Sequence, residues 1–231
     1  MRAERLLWLA VISLAAIGIV GAVHRAFFVD DALQRAELVR RDVLSAAGIR
    51  DRSLDRASAV LSFDRSYAAY PLVTLLHIVP GGVLLLLAPL QFSSRLRTRY
   101  ISWHRWSGRV LLALAVPVAL TGLFFGTLMP FGGRGETALI VPFALFMLAS
   151  LAHAYRAVRS GDIAAHREWM IRAFAVAIAI ATVRVVAAVL DLVLSPYVGL
   201  RALFVLALWM GWLSTFLAAE LWIRRSKHVA V

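Results

Sequence analysis

Five apolar runs of close to membrane-spanning length occupy residues 71–222: Pro71–Phe92, Val110–Phe131, Thr137–Tyr155, Trp169–Leu190 and Arg201–Trp222. A sixth, Leu6–Val23, opens the chain. A helix needs about 20 apolar residues to cross the hydrocarbon core of a bilayer, and each run is near that length. In lipid, backbone polar groups are satisfied only in helices or closed barrels. The runs lack the apolar–polar alternation that barrel strands require. The pattern predicts an all-α fold, a polytopic transmembrane helix bundle of six spans.

Between the first two runs lies the one extended polar stretch. It divides the chain into a first transmembrane helix (1–26), an amphipathic connector outside the membrane (27–69) and a five-helix transmembrane core (70–231). Within the connector, Ala32, Ala36, Val39 and Val43 recur at helical spacing over Asp31–Ala47, with Gly48 as a stop. A shorter stripe of Leu54, Ala57 and Leu61 follows over Ser53–Phe63. Two short helices on the outer mouth of the bundle are expected, serving either as a lid over a cavity or as a connector folded onto the headgroups. Arg2 and Arg5 ahead of an apolar stretch resemble a secretory signal. The run is long for a signal core, so an uncleaved first helix is expected.

Composition narrows the choice of function. Of 231 residues, 61% are hydrophobic, and mean hydropathy is +0.80. Once the spans are assigned, no length is left for a separate soluble catalytic domain. Cysteine is absent, which excludes disulfides, thiolate metal sites, iron–sulfur ligation and thioether-attached haem.

The net charge of +12 has a distribution that argues against nucleic acid as a partner. Arg95, Arg97, Arg99, Arg105 and Arg109 precede the third span, and Arg156, Arg159, Arg167 and Arg172 bracket the turn into the fifth. Arg224, Arg225 and Lys227 close the chain, while the loops after the third and fifth spans carry only Arg134 and Arg201; the connector strains the rule, with eight arginines against seven acids over residues 25–70. This is the positive-inside pattern, with both termini cytoplasmic. The lipid bilayer, with its anionic headgroups, accounts for the basic surface.

Ionisable side chains within spans are costly and mark functional sites by default. His77 precedes Pro80-Gly81-Gly82 in the second span, where a lost helical hydrogen bond and two missing side chains leave room for a ligand. Arg184 cannot shed its proton and requires an anion, carbonyls or water. His77 and Arg184 lie at roughly the same depth in the outer half, and together they are the candidate ligand-binding pair. For each the alternative is structural: a bond from His77 to a neighbouring carbonyl, and a contact of Arg184 with carbonyls of another helix.

His104, His153 and His166 approach the inner face from the third, fourth and fifth spans. Imidazoles converging in one layer would suit a b-type haem or a metal ion, and Arg109 and Arg172 would suit haem propionates or lipid phosphate. These five residues are the candidate cofactor site. The alternative is that interfacial His and Trp anchor the helices at headgroup level.

Several segments carry a resemblance: Leu76-His77-Ile78, Pro89-Leu90-Gln91-Phe92, His104-Arg105-Trp106-Ser107-Gly108-Arg109 and His166-Arg167-Glu168-Trp169-Met170-Ile171-Arg172. Over residues 70–190 the chain resembles an uncharacterised family of predicted bacterial multi-pass membrane proteins, a domain of unknown function. The resemblance implies a bacterial plasma (inner) membrane location and no particular reaction. The chain is also loosely similar to di-haem transmembrane cytochromes b, which place histidines on four successive helices. His77 and His153 differ in depth by roughly 15 Å at the helical rise, so the full di-haem pattern does not fit and a single inner haem is what that similarity implies.

Three classes of function follow. The first is a cofactor-binding membrane protein with a redox or membrane-protein partner. The second is a transporter-like bundle with an outer-half pocket at His77 and Arg184, and the third a structural or assembly factor that binds lipid or another membrane protein. The sequence expectation places the cofactor-binding reading slightly ahead. No nucleophile–base–acid spacing supports a hydrolase.

Overall fold

The computed structural model describes residues 8–20 and 52–228. Among the described residues are eight helices and no strand: α1 Trp8–Val20, α2 Arg52–Ala68, α3 Pro71–Gln91, α4 Ser94–Arg99, α5 Ile101–Leu128, α6 Arg134–Arg159, α7 Ile163–Leu194 and α8 Leu200–His228. Five of these, α3, α5, α6, α7 and α8, are long and apolar enough to cross a membrane. The sequence led us to expect six. Of the first run the described residues take in Trp8–Val20, all of it in α1, and the rest of Leu6–Val23 lies outside them. In the connector, α2 covers Ser53–Phe63 and runs on to Ala68. The helix expected over Asp31–Ala47 lies outside the described residues.

Several helices extend beyond the apolar runs that predict them. α5 starts at Ile101 and α7 at Ile163, so both His-Arg motifs are helical turns and not loops. Neither motif contains proline and Gly108 is accommodated within α5, while long Arg and Trp side chains can lie at the ends of a span with their polar tips toward water. The turn between α6 and α7 is made by Gly161 at φ 83 and by the Asp162 carboxylate, which accepts from the Ala165 backbone N–H at 2.9 Å. The first is a left-handed stop and the second an N-cap. Pro80 does not interrupt α3, which is helical from Pro71 to Gln91. A Cβ added at Gly81 would meet nothing within 4 Å, so Gly81 gives no other group a close approach.

The packing is that of a membrane bundle. Large apolar side chains face outward in helical stripes: Leu72, Leu75, Val79, Leu86 and Leu90 on α3, and Leu206, Met210, Leu213, Leu217 and Leu221 on α8. The buried positions of the central helix α7 are rich in alanine, with Ala173, Ala175, Ala179 and Ala181 all inside. Lipid tails are as apolar as leucine, so helices gain by close backbone approach between small residues. α7 packs against α6 and α8 and touches α3, while α5 joins α3 to α6. Gly18 of α1 sits against Leu85 of α3 and Ala181 of α7.

α2 docks on one end of the bundle through rings. Phe63 meets Phe131 and Phe204 edge-on at 5.1 and 5.6 Å, and Tyr67 lies 4.6 Å from Phe125. The Thr74 hydroxyl donates to the Tyr67 carbonyl at 2.7 Å. The other end of the bundle carries the basic motifs and α4.

Candidate functional site

His77 lies in the half of the bundle nearer α2. Its Nδ1 donates to the Val118 carbonyl at 3.2 Å and to Thr121 Oγ1 at 2.9 Å. A carbonyl can only accept, so Nδ1 carries the proton. Thr121 in turn donates to the Pro117 carbonyl at 2.6 Å. The ring passes over Gly122, whose added Cβ would stand 3.5 Å from Cε1, and meets Phe125 edge-on. His77 is thus a polar tie between α3 and α5, and a small residue against its ring is Gly122 of α5. Arg184 has a separate role, its Nη1 donating to the Gly18 carbonyl at 3.3 Å and joining α7 to α1. The two residues expected to line one pocket hold different pairs of helices together. His77→Leu is expected to cost about 1 kcal/mol of stability in mixed-micelle unfolding, the scale of an interhelical hydrogen bond in membranes. No loss at all would remove the residue from this role.

At the basic end the three inner histidines take different positions. His153 is exposed on α6 and stacks on Trp169 of α7, with centroids 4.7 Å apart and planes at 21°. The Arg172 guanidinium lies 4.7 Å from the same indole. Arg172 is also held by Glu220 of α8, Nε to Oε1 at 2.6 Å and Nη2 to Oε2 at 3.1 Å, with Glu168 Oε2 at 3.8 Å from Nη1. Two residues expected to serve a cofactor therefore belong to a stack and ion pair that clamp α6, α7 and α8. Among the described residues no group of three His, Cys, Asp or Glu could hold a metal ion, so the expected convergence of His104, His153 and His166 on one ligand is not supported.

His104 and His166 do come together. His166 Nδ1 donates to the Ala154 carbonyl at 2.9 Å. His104 Nδ1 is buried without a hydrogen-bond partner among the described residues. Among the described residues, the charged or chargeable groups that act on His104 are Arg97, His166 and Arg105, all cationic or able to become so. Arg97, on α4, donates to the Phe92 carbonyl at 2.7 Å. Burial, and then the nearby Arg167 charge, pull its pKa below the ordinary guanidinium value; a guanidinium still stays charged in proteins. Arg167 Nη1 donates to Ser226 Oγ of α8 at 3.1 Å. Beneath this group, Gln91 donates to Ser107 Oγ at 2.7 Å, and Ser107 donates to the Trp103 carbonyl. The resulting layer draws on α3, α4, α5, α7 and α8, and it concentrates like charge.

Arg109 faces elsewhere, toward a groove between α5 and α6. Sequence reasoning singled out His104 and His166 but missed Arg97, which looked like one loop arginine among several. Glu220, near the end of the last span, received no role from the sequence. The available signal was depth, because Arg172 and Glu220 stand at similar distances from the basic ends of adjacent helices.

The family described as "Predicted membrane protein (DUF2306)" matches residues 74–223, well over half of the chain and all five spanning helices in part or whole. Neither a curated protein nor a solved structure matches.

Proposed function

The chain belongs to this family of predicted membrane proteins, and we propose that it is a membrane structural or assembly factor that binds anionic headgroups at its basic end. That end faces the cytoplasm of a bacterial inner membrane, in keeping with the positive-inside distribution of its arginines. One observation carries the reading: the buried His104 Nδ1 has no hydrogen-bond partner among the described residues, and the described groups whose charge reaches that ring, Arg97, His166 and Arg105, are all cationic or able to become so. Like charges held side by side are relieved by an anion. A phosphate, with several acceptor oxygens, matches the donors of guanidinium and imidazole. Deeper in the bundle the ionisable side chains are already used, His77 on a carbonyl, Arg172 on Glu220 and Arg184 on a carbonyl. Unspent donor capacity is thus found at the basic end.

The test compares thermal stability in phosphatidylcholine bilayers with and without phosphatidylglycerol. The wild-type midpoint is expected to rise with the anionic lipid, and Arg97→Gln/Arg167→Gln is expected to lose more than half of that rise. An equal rise in both proteins would refute the assignment. If soluble phosphate alone reproduces the wild-type rise, the ligand is a free anion and not a lipid.

A further inference from the structure

We propose that the groove between α5 and α6 holds one acyl chain of an anionic diacyl phospholipid, with the lipid phosphate on Arg109. The inference rests on membrane embedding and not on the basic-end reading. Arg109 follows His104 by five residues, which turns it about 140° around α5, away from the cationic layer.

The groove has a volume of about 460 Å³ and is lined by Arg109, Leu112 and Val116 of α5 and by Leu148, Leu151 and Tyr155 of α6. On each helix these positions are one stripe. Arg109, Leu112 and Val116 follow at i, i+3 and i+7, and Tyr155, Leu151 and Leu148 step back by four and then three. The helices are consecutive and packed together, so both stripes run from a polar residue into apolar ones, for about 10 Å at the helical rise. Such a slot, polar at one end and apolar below, has the polarity of a phospholipid and not of a soluble metabolite.

Depth supports the same occupant. Arg109 is the last charged residue of α5, since Val110–Leu128 contains none. Tyr155 precedes Arg156, where the charges of α6 resume. The polar end of the groove is therefore at the boundary where headgroups lie. Arg109, Val116, Ala152 and Tyr155 are exposed, so the slot opens sideways to the bilayer. No hydrogen bond or ion pair ties Arg109 or the Tyr155 hydroxyl to another described residue. An arginine at the edge of an apolar slot, with no carboxylate to meet it, complements an anionic headgroup and discriminates against a zwitterionic one, whose ammonium it would repel.

The experiment is photo-crosslinking of the purified full-length protein with phosphatidylglycerol bearing a diazirine in one acyl chain, followed by peptide mapping. Labelling at 112–116 and 148–151 is expected to exceed, severalfold, that on the exposed face of α3. Unlabelled phosphatidylglycerol should compete at least threefold better than phosphatidylcholine. Leu148→Trp, which fills the slot, should remove most of the groove label. Arg109→Gln, a change at an exposed position, should keep the label and equalise the two competitors. Groove labelling no stronger than on α3, or equal competition by the two lipids in wild type, would overturn the site; so would indifference to Leu148→Trp in a normally eluting protein. Arg97→Gln/Arg167→Gln should leave the groove label unchanged, so this site and the basic-end site can fail separately.

Discussion

Glu220→Ala is expected to destabilise the bundle by about 3 kcal/mol, the lower end of the cost of breaking a buried ion pair from one side. Arg172 and Glu220 are only 17% and 22% exposed at the side chain, and the carboxylate takes two of the guanidinium donors at 2.6 and 3.1 Å. Removing it leaves a permanent cation facing a largely apolar layer that includes Ala219 and Ile223. Glu168, 3.8 Å away on the same helix turn, can take over part of the pairing, which is why the lower end of the range applies. Arg172→Ala should cost a similar amount. The double variant should cost clearly less than the sum of the two, because neither charge is then stranded. Reversible unfolding in mixed micelles measures all three. A single-variant loss below about 1 kcal/mol would mean that the pair behaves as a solvated surface contact. In the same geometry two of the Arg172 nitrogens and the face of its guanidinium are committed to Glu220 and Trp169.

Much of the fold is legible in the sequence because hydrocarbon imposes a single strong rule. Pro71–Phe92 and Trp169–Leu190 had to be helices, and α3 and α7 contain nearly all of them. What hydropathy does not register is where a helix ends once charge resumes. The His-Arg motifs read as entrances to spans but are turns of α5 and α7 themselves, since neither holds a proline and one glycine, Gly108, is too weak a signal to end a helix. The site was less legible. His77 stood out as an ionisable residue inside a span, yet its partners are the Val118 carbonyl and the Thr121 hydroxyl of another helix; a carbonyl leaves no mark in a sequence, and which helix faces His77 is set by the packing. The three inner histidines share a depth, which the sequence gives. They do not share an azimuth, which depends on how each helix is rotated in the bundle. His153 points to Trp169 and His166 to the Ala154 carbonyl, so equal depth brought His104 and His166 together but left His153 outside. Arg184 shows the same limit, because the carbonyl it reaches belongs to a helix 166 positions earlier.

Gly211→Ala is expected to lower stability by about 1–3 kcal/mol, the usual cost of overpacking a tight contact. The added Cβ would lie 2.9 Å from both the backbone N and Cα of Val183, and 2.6 Å from its Cγ2. A side chain can turn away from such a contact, but backbone cannot, so α8 would have to move off α7. That motion would disturb the Thr215–Thr182 hydrogen bond at 3.1 Å one turn along and the buried Ala207 and Leu208 on the other side. An alanine in a helix interior ordinarily gains roughly 0.5–1 kcal/mol over glycine, and any measured loss already contains that gain. Gly81→Ala supplies the control: the added methyl meets nothing within 4 Å, so the same substitution in α3 should be neutral or stabilising. Opposite signs at the two sites would attribute the effect to close approach of α7 and α8. Equal and small effects would show that this interface yields without cost, and the small-residue account of how α7 is packed would fail with it.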